Sequence, residues 1–142
     1  MRWATGLPTA AMLAAEPALG PALRDLRAQP VDELAVRESD EAEHVVAFEA
    51  STGATVLVPR QEPAVRAAER AVDAVIRLAD IVQEAAVVAM WGASVPPVWP
   101  SCPRHPGTHP LQATAENDRA VWRCPADDVT IAEVGALPAS RD

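Results

Sequence analysis

Ser101-Cys102-Pro103-Arg104-His105-Pro106-Gly107-Thr108-His109, answered downstream by Trp122-Arg123-Cys124-Pro125, is the stretch on which the fold turns. Both cysteines of the chain and two of its three histidines lie between Cys102 and Cys124. Proline and glycine neighbours set these residues on tight knuckle turns. Thiolate sulfur with imidazole nitrogen is the donor set a tetrahedral Zn2+ ion takes. The pattern therefore reads as a metal site in the C-terminal third of the chain.

The residues around the knuckles predict a small three-stranded sheet. Leu111 to Ala115, Ala120 to Cys124 and Val129 to Val134 are strand-forming runs, and Glu116-Asn117-Asp118-Arg119 is the turn of a hairpin. The apolar complement is small: Leu111, Val121, Ile131, Val134 and Leu137. A unit of roughly forty residues seldom buries enough surface to fold unaided, whereas a structural zinc ion is worth an apparent ~10–16 kcal/mol.

Cys102-Pro103-Arg104-His105, then Pro110-Leu111, a hairpin, and Trp122-Arg123-Cys124-Pro125 together resemble a zinc ribbon, in which two Cys-Pro-x-Cys knuckles flank a hairpin. The likeness covers residues 98–137 or thereabouts and none of the first ninety. The first knuckle carries His105 in place of its second cysteine. The second departs further, with Asp127 where the resemblance places a ligand. His109 lies four residues beyond His105 across Pro106-Gly107, a spacing that folds round one ion. The expected ligand set is Cys102, His105, His109 and Cys124 on Zn2+, with Asp127 in reserve for the fourth place. A disulfide or two unligated thiols are the alternatives. More broadly the chain resembles small proteins of high-GC bacteria and their phages, a likeness that implies no activity.

N-terminal to the knuckles, Ser94-Val-Pro-Pro-Val-Trp-Pro-Ser101 cannot continue a helix, because consecutive prolines lack donors and hold an extended backbone. It reads as a semi-rigid linker bracketed by Trp91 and Trp99, both expected to cover the junction. Before it, Val65, Ala68, Val72, Val75, Ala79, Val82, Ala86 and Ala89 recur at spacings of three and four. That predicts one helix from Pro63 to Trp91, roughly 43 Å long at 1.5 Å per residue. Arg66, Arg70, Asp73, Arg77, Asp80 and Glu84 fall off the stripe, with Asp73 and Arg77 ordered for a surface ion pair. A helix this long packs on the chain's own body or on a partner.

Farther upstream, Leu34 and Val36, then Val46, Phe48 and Ala50, then Val56 and Val58 recur at every second position and predict a three-stranded antiparallel meander. Glu38 to Glu43 is its acidic first turn and His44 a strand-end surface residue. Gly20-Pro21 opens a short helix, Ala22 to Gln29, closed by Pro30. The expectation is an α+β protein: a body over residues 1–93, a linker over 94–101 and a zinc-ribbon-like module over 102–142.

Composition narrows the function. Twenty acidic side chains against twelve arginines, with no lysine, give a net charge of −8, which repels nucleic-acid phosphates and anionic membranes. The opening, Met1-Arg2-Trp3 through Ala15, resembles a secretory signal only faintly, with one basic residue and breaks at Gly6 and Pro8. No uncharged apolar run reaches the roughly 18 residues a bilayer needs. Two thiols beside histidines suit a reduced, cytoplasmic setting. His-Glu-x-x-His, Gly-x-Ser-x-Gly and P-loop patterns are absent, as is any Ser/His/Asp set. The reading is a non-enzymatic zinc-binding interaction or assembly protein, with a protein partner or self-association through the long helix or the ribbon. One alternative is a zinc-dependent hydrolase in which Cys102, His105 and Cys124 hold metal and His109 or Asp127 works on water. Another is a nucleic-acid-binding regulator using Arg119, Trp122 and Arg123. Against the latter, the tail from Ser94 carries four arginines and six acids.

Overall fold

Two sheets, the first mixed and the second antiparallel, sit on one central helix in the computed structural model, which describes residues 2–3 and 8–139. Part of the signal-like opening and the last residues of the tail fall outside that range.

Helix α1 (Ala10–Ala15) opens on Thr9, whose hydroxyl accepts from the Met12 backbone N–H at 3.1 Å, a side-chain N-cap. This helix was not expected from the sequence. Helix α2 (Leu19–Ala28) begins three residues before the predicted start, because Pro21 is tolerated anywhere in the first turn. Its Leu19, Ala22, Leu23 and Leu26 are buried.

The predicted meander is present as β2 (Leu34–Glu38), β3 (His44–Ala50) and β4 (Thr55–Pro59), paired antiparallel with Val36 opposite Phe48 and Phe48 opposite Val56. A two-residue strand β1 (Arg2–Trp3) adds parallel to β2, giving the order β1-β2-β3-β4.

The expected single helix from Pro63 to Trp91 is two. Helix α3 (Pro63–Ala68) ends at Glu69, and α4 (Ala71–Gly92) starts after Arg70, both junction residues being extended at ψ 132° and 147°. Neither is proline or glycine. The reason lies in side-chain chemistry: Glu69 turns back to grip the guanidinium of Arg77 with both oxygens, at 2.9 and 3.0 Å, and Arg77 also holds Glu16 at 3.1 Å. A two-point carboxylate–guanidinium pair is among the stronger polar contacts available. The expected Asp73–Arg77 surface pair gives way to this half-buried network.

Helix α4 packs against α2, the meander and the C-terminal sheet. Leu78, Ala79, Val82, Ala85, Ala86 and Ala89 are buried, and the helix leaves mainly Asp73, Asp80, Glu84 and Trp91 to solvent. Its apolar stripe is thus spent on the chain's own core, and the many alanines let both sheets approach closely. Among the described residues no helix is long and apolar enough to cross a membrane.

The proline-rich segment is tied down at several points. Gln83 of α4 donates to the carbonyls of Trp99 and Leu111 at 3.0 and 2.7 Å, and the Trp99 indole donates to the Gln29 carbonyl at 2.8 Å. Trp99 covers the junction as expected. Trp91 does not: at 73% exposure it projects from the end of α4.

The C-terminal sheet comprises β5 (Gln112–Glu116), β6 (Arg119–Cys124) and β7 (Val129–Glu133) in sequential antiparallel order. Asn117 and Asp118 take positive φ of 51° and 62°, the two-residue hairpin geometry that suits strand twist. Its core is continuous with the body's, since Trp122 and Leu111 belong to the same buried cluster as Phe48 and Leu78.

Candidate metal centre

Two loops bring the ligand candidates together. The first runs between Ser101 and Pro110, which form an isolated bridge, and is closed further by the Leu111 N–H donating to the Pro100 carbonyl at 2.9 Å. Inside it the His105 N–H donates to the Cys102 carbonyl at 3.1 Å, a turn that folds the fourth residue over the first. Gly107, at φ +72°, reverses the chain so that His109 returns toward His105. The second loop follows β6. There the Asp127 N–H points at the Cys124 sulfur at 3.4 Å, and the Asp128 N–H donates to the Cys124 carbonyl at 2.8 Å.

The result is a four-residue cluster of Cys102, His105, His109 and Cys124 whose potential ligand atoms all lie within 4.8 Å of one another. His105 Nδ1 is 3.6 Å from Cys102 Sγ and 3.5 Å from Cys124 Sγ. His109 Nε2 is 3.8 Å from Cys124 Sγ and 3.1 Å from His105 Nδ1. A tetrahedral ion with sulfur at about 2.3 Å and nitrogen at about 2.0–2.1 Å sets donor separations of about 3.6 Å for S···N and about 3.3 Å for N···N. The observed spacings match that cage. Both cysteines are fully buried and neither is in a disulfide.

The second nitrogen of each imidazole is also accounted for. His109 Nδ1 lies 2.9 Å from the Pro110 carbonyl, a contact only its protonated form makes, which assigns the lone pair to Nε2 and aims it into the cluster. His105 Nε2 lies 3.4 Å from Asp127 Oδ2 and leaves Nδ1 for the cluster. Outer partners of this kind orient metal-ligating histidines. Asp127 is itself held by Arg104 Nε at 2.7 Å. The Arg104 hydrogen bond, aided by the nearby His105, keeps the Asp127 carboxyl below the usual carboxylate range.

The residues predicted from sequence thus fall into two groups. Cys102, His105, His109 and Cys124 converge on one point, while Asp127 stands behind His105. The proposed basic patch does not assemble. Trp122 is completely buried, and Arg123 is engaged by Asp128 at 2.7 Å and faces Glu116 at 3.8 Å. His44, beside Glu41 at 3.2 Å, sits at the start of β3 far along the chain from the cluster.

One residue that positions the cluster's strand escaped the sequence reading. Asp25 on α2 is fully buried and accepts from the Trp122 indole at 2.7 Å, the Gly135 N–H at 2.6 Å and the Leu137 N–H at 3.0 Å. It anchors the strand that carries Cys124. No protein-family model matches the chain, and neither a curated protein nor a solved structure matches it.

Proposed function

We propose that the chain is a non-enzymatic protein that binds one structural Zn2+ through Cys102, His105, His109 and Cys124 and presents the rigid knuckle loops to a protein partner within a larger assembly. The observation that carries this reading is the closed donor set: two buried sulfurs and two imidazole nitrogens at tetrahedral spacings. A soft, four-donor cage suits zinc over magnesium or calcium, which take hard oxygen ligands. Because the sheet already shares the body's core, the ion's work here is to tie the two knuckle loops to each other at its end.

A hydrolytic zinc keeps a coordination position for water and a base beside it. In the proposed set His109 takes the fourth position, and Asp127 is engaged by Arg104 and His105. That geometry favours a structural role over turnover. The partner surface belongs to the knuckle loops, because α4 buries its apolar stripe internally while Pro103, Arg104, Pro106, Gly107, Thr108 and Pro125 stand exposed around the cluster. Loops fixed by a metal lose little conformational entropy on docking, which leaves more of the contact energy as affinity.

The test is a pull-down and native mass comparison of the metal-replete chain against Pro106→Ala/Thr108→Ala, which alters the exposed loop without removing a ligand. Retained zinc with lost partner binding supports the assignment. Loss of neither, with the partner captured equally, moves the interface elsewhere.

A further inference from the structure

Away from the metal centre, the geometry points to a self-association surface at the C-terminal end of α4, where Trp91 of one copy seats in a cleft of a second copy built from that copy's Trp91, Val95, Pro96 and Pro97. Helix α4 ends in a hydrogen-bonded reversal: the Ser94 N–H donates to the Trp91 carbonyl at 3.1 Å and the Val95 N–H to the Met90 carbonyl at 2.9 Å. Ser94 takes the left-handed φ of 60° that this kind of helix stop requires. The reversal brings Pro96 and Pro97 alongside the last turn of the helix and leaves a cleft of 360 Å³ lined by Trp91, Ser94, Val95, Pro96 and Pro97. The β3–β4 turn presses on Gly92, where an added Cβ would lie 2.8 Å from Thr52 Cγ2, so the helix end is held against the body. The contact uses no residue of the Cys/His cluster and stands apart from the zinc reading.

The lining selects the occupant. The walls are an indole, two proline rings and a valine, the Ser94 hydroxyl is the one side-chain acceptor, and no charged residue takes part. That is the complement of an indole, an apolar body with a single N–H that needs an acceptor when buried. Such an indole stands at the rim. Trp91 is 73% exposed. The indoles of Trp99 and Trp122 donate to the Gln29 carbonyl and to Asp25, whereas Trp91 has no hydrogen-bond partner among the described residues. Trp91 cannot fill the cleft it lines. A two-fold axis instead sets each copy's Trp91 in the other's cleft, between the partner indole and its prolines, which is the self-complementary form a two-fold interface takes. Aromatic rings and prolines recognise each other in many peptide complexes, and here one patch carries both halves of the pair. Charge points the same way: each chain carries a net −8, so two copies repel except where they meet through uncharged surface, and this cleft is uncharged.

The experiment is sedimentation equilibrium of the full chain as purified, over concentrations from about 10 µM to about 1 mM, with the Trp91 indole N–H followed by NMR. The expected result is a monomer–dimer equilibrium. Trp91→Ala, at an exposed position outside the core, is expected to weaken it about a hundredfold, as the loss of a central interface aromatic does. Pro96→Asp leaves Trp91 in place and sets like charges in the paired clefts; it is expected to weaken the dimer to a similar degree, so the test survives one variant that does not fold. Added salt is expected to tighten the pair by screening the repulsion between two acidic chains. A chain that stays monomeric over the whole range, a dimer that persists in either folded variant, or one that weakens with salt would each overturn the assignment. So would a monomer whose Trp91 indole resonance shifts saturably with a polyproline peptide, which would give the cleft to a proline-rich partner.

Discussion

The indole N–H of Trp122 donates to the carboxylate of Asp25 at 2.7 Å, across 97 residues of chain, with both side chains fully buried. Trp122 is two residues from Cys124, so the same strand that closes the Cys/His cluster is bolted to α2. Two backbone donors, from Gly135 and Leu137, complete the carboxylate's partners.

Removing that acceptor strands three buried donors. Asp25→Ala is expected to destabilise the chain by about 3–5 kcal/mol, and Trp122→Phe, which deletes one donor and keeps most of the ring, by about 1–3 kcal/mol. Urea unfolding at fixed zinc measures both. Equal stability of Asp25→Ala and wild type would mean that the contact is idle.

Gly135 has a double constraint. Its φ is +101°, and an added Cβ would meet Pro21 Cβ at 3.0 Å and Cα at 3.2 Å. Gly135→Ala is therefore expected to cost more than the ~1 kcal/mol of an ordinary backbone mismatch and to perturb the Asp25 contact, seen as a lower unfolding midpoint. A midpoint at or above wild type contradicts this.

Two carboxyls give pH dependences of opposite sign. Hydrogen bonding to Arg77 lowers the Glu69 carboxyl below its ordinary value, so its stabilisation is full above that value and is lost as pH falls through the depressed one. Burial raises the Asp25 carboxyl, against the pull of its three N–H partners, so the folded state takes up this proton first. Between the ordinary and the raised value, Asp25 therefore contributes stability that grows as pH falls and disappears as pH rises. Denaturation midpoints against pH, compared with Asp25→Asn and Glu69→Gln, separate the two. Identical slopes in wild type and Asp25→Asn across the Asp25 window would refute the assigned sign.

Asp127 and His109 are expected to differ in kind. As the outer partner of His105, Asp127→Ala keeps one zinc per chain and weakens affinity by about 10–100-fold. His109→Ala removes a donor, and its spectrum with Co2+ in place of zinc departs from that of a closed four-coordinate site. If Asp127→Ala changes the Co2+ coordination spectrum and His109→Ala does not, the two residues exchange roles.

Much of this was legible in the chain because the signals are local. The alternation at Val46, Phe48 and Ala50, the turn at Glu116 to Arg119 and the three-four spacing of Val72, Val75, Ala79, Val82 and Ala86 each report a period that backbone geometry imposes. The knuckles were legible because soft donors on proline and glycine turns have few other uses. What escaped depends on distant partners. The break at Glu69 follows from Arg77 and Glu16, with no proline or glycine to announce it. Asp25 sits between Leu23 and Leu26 in a helix and looks like a surface acid until Trp122 arrives from the other end of the chain. Helix α1 did carry a signal, the Thr9 cap, inside an alanine-rich run that reads as a weak leader.

A metal ion that locks the C-terminal sheet through Cys102, His105, His109 and Cys124 would travel with the purified protein. Elemental analysis with native mass spectrometry on tag-free protein tests it most directly, with tryptophan fluorescence followed as a chelator is added. The expected result is one zinc per chain, absent from Cys102→Ser, and on its removal a red shift as Trp122 and its edge-on neighbour Trp99, 5.9 Å away, become wet. Protein that carries no metal, or in which Cys102 and Cys124 are joined as a disulfide with the fluorescence unchanged by chelator, would contradict it.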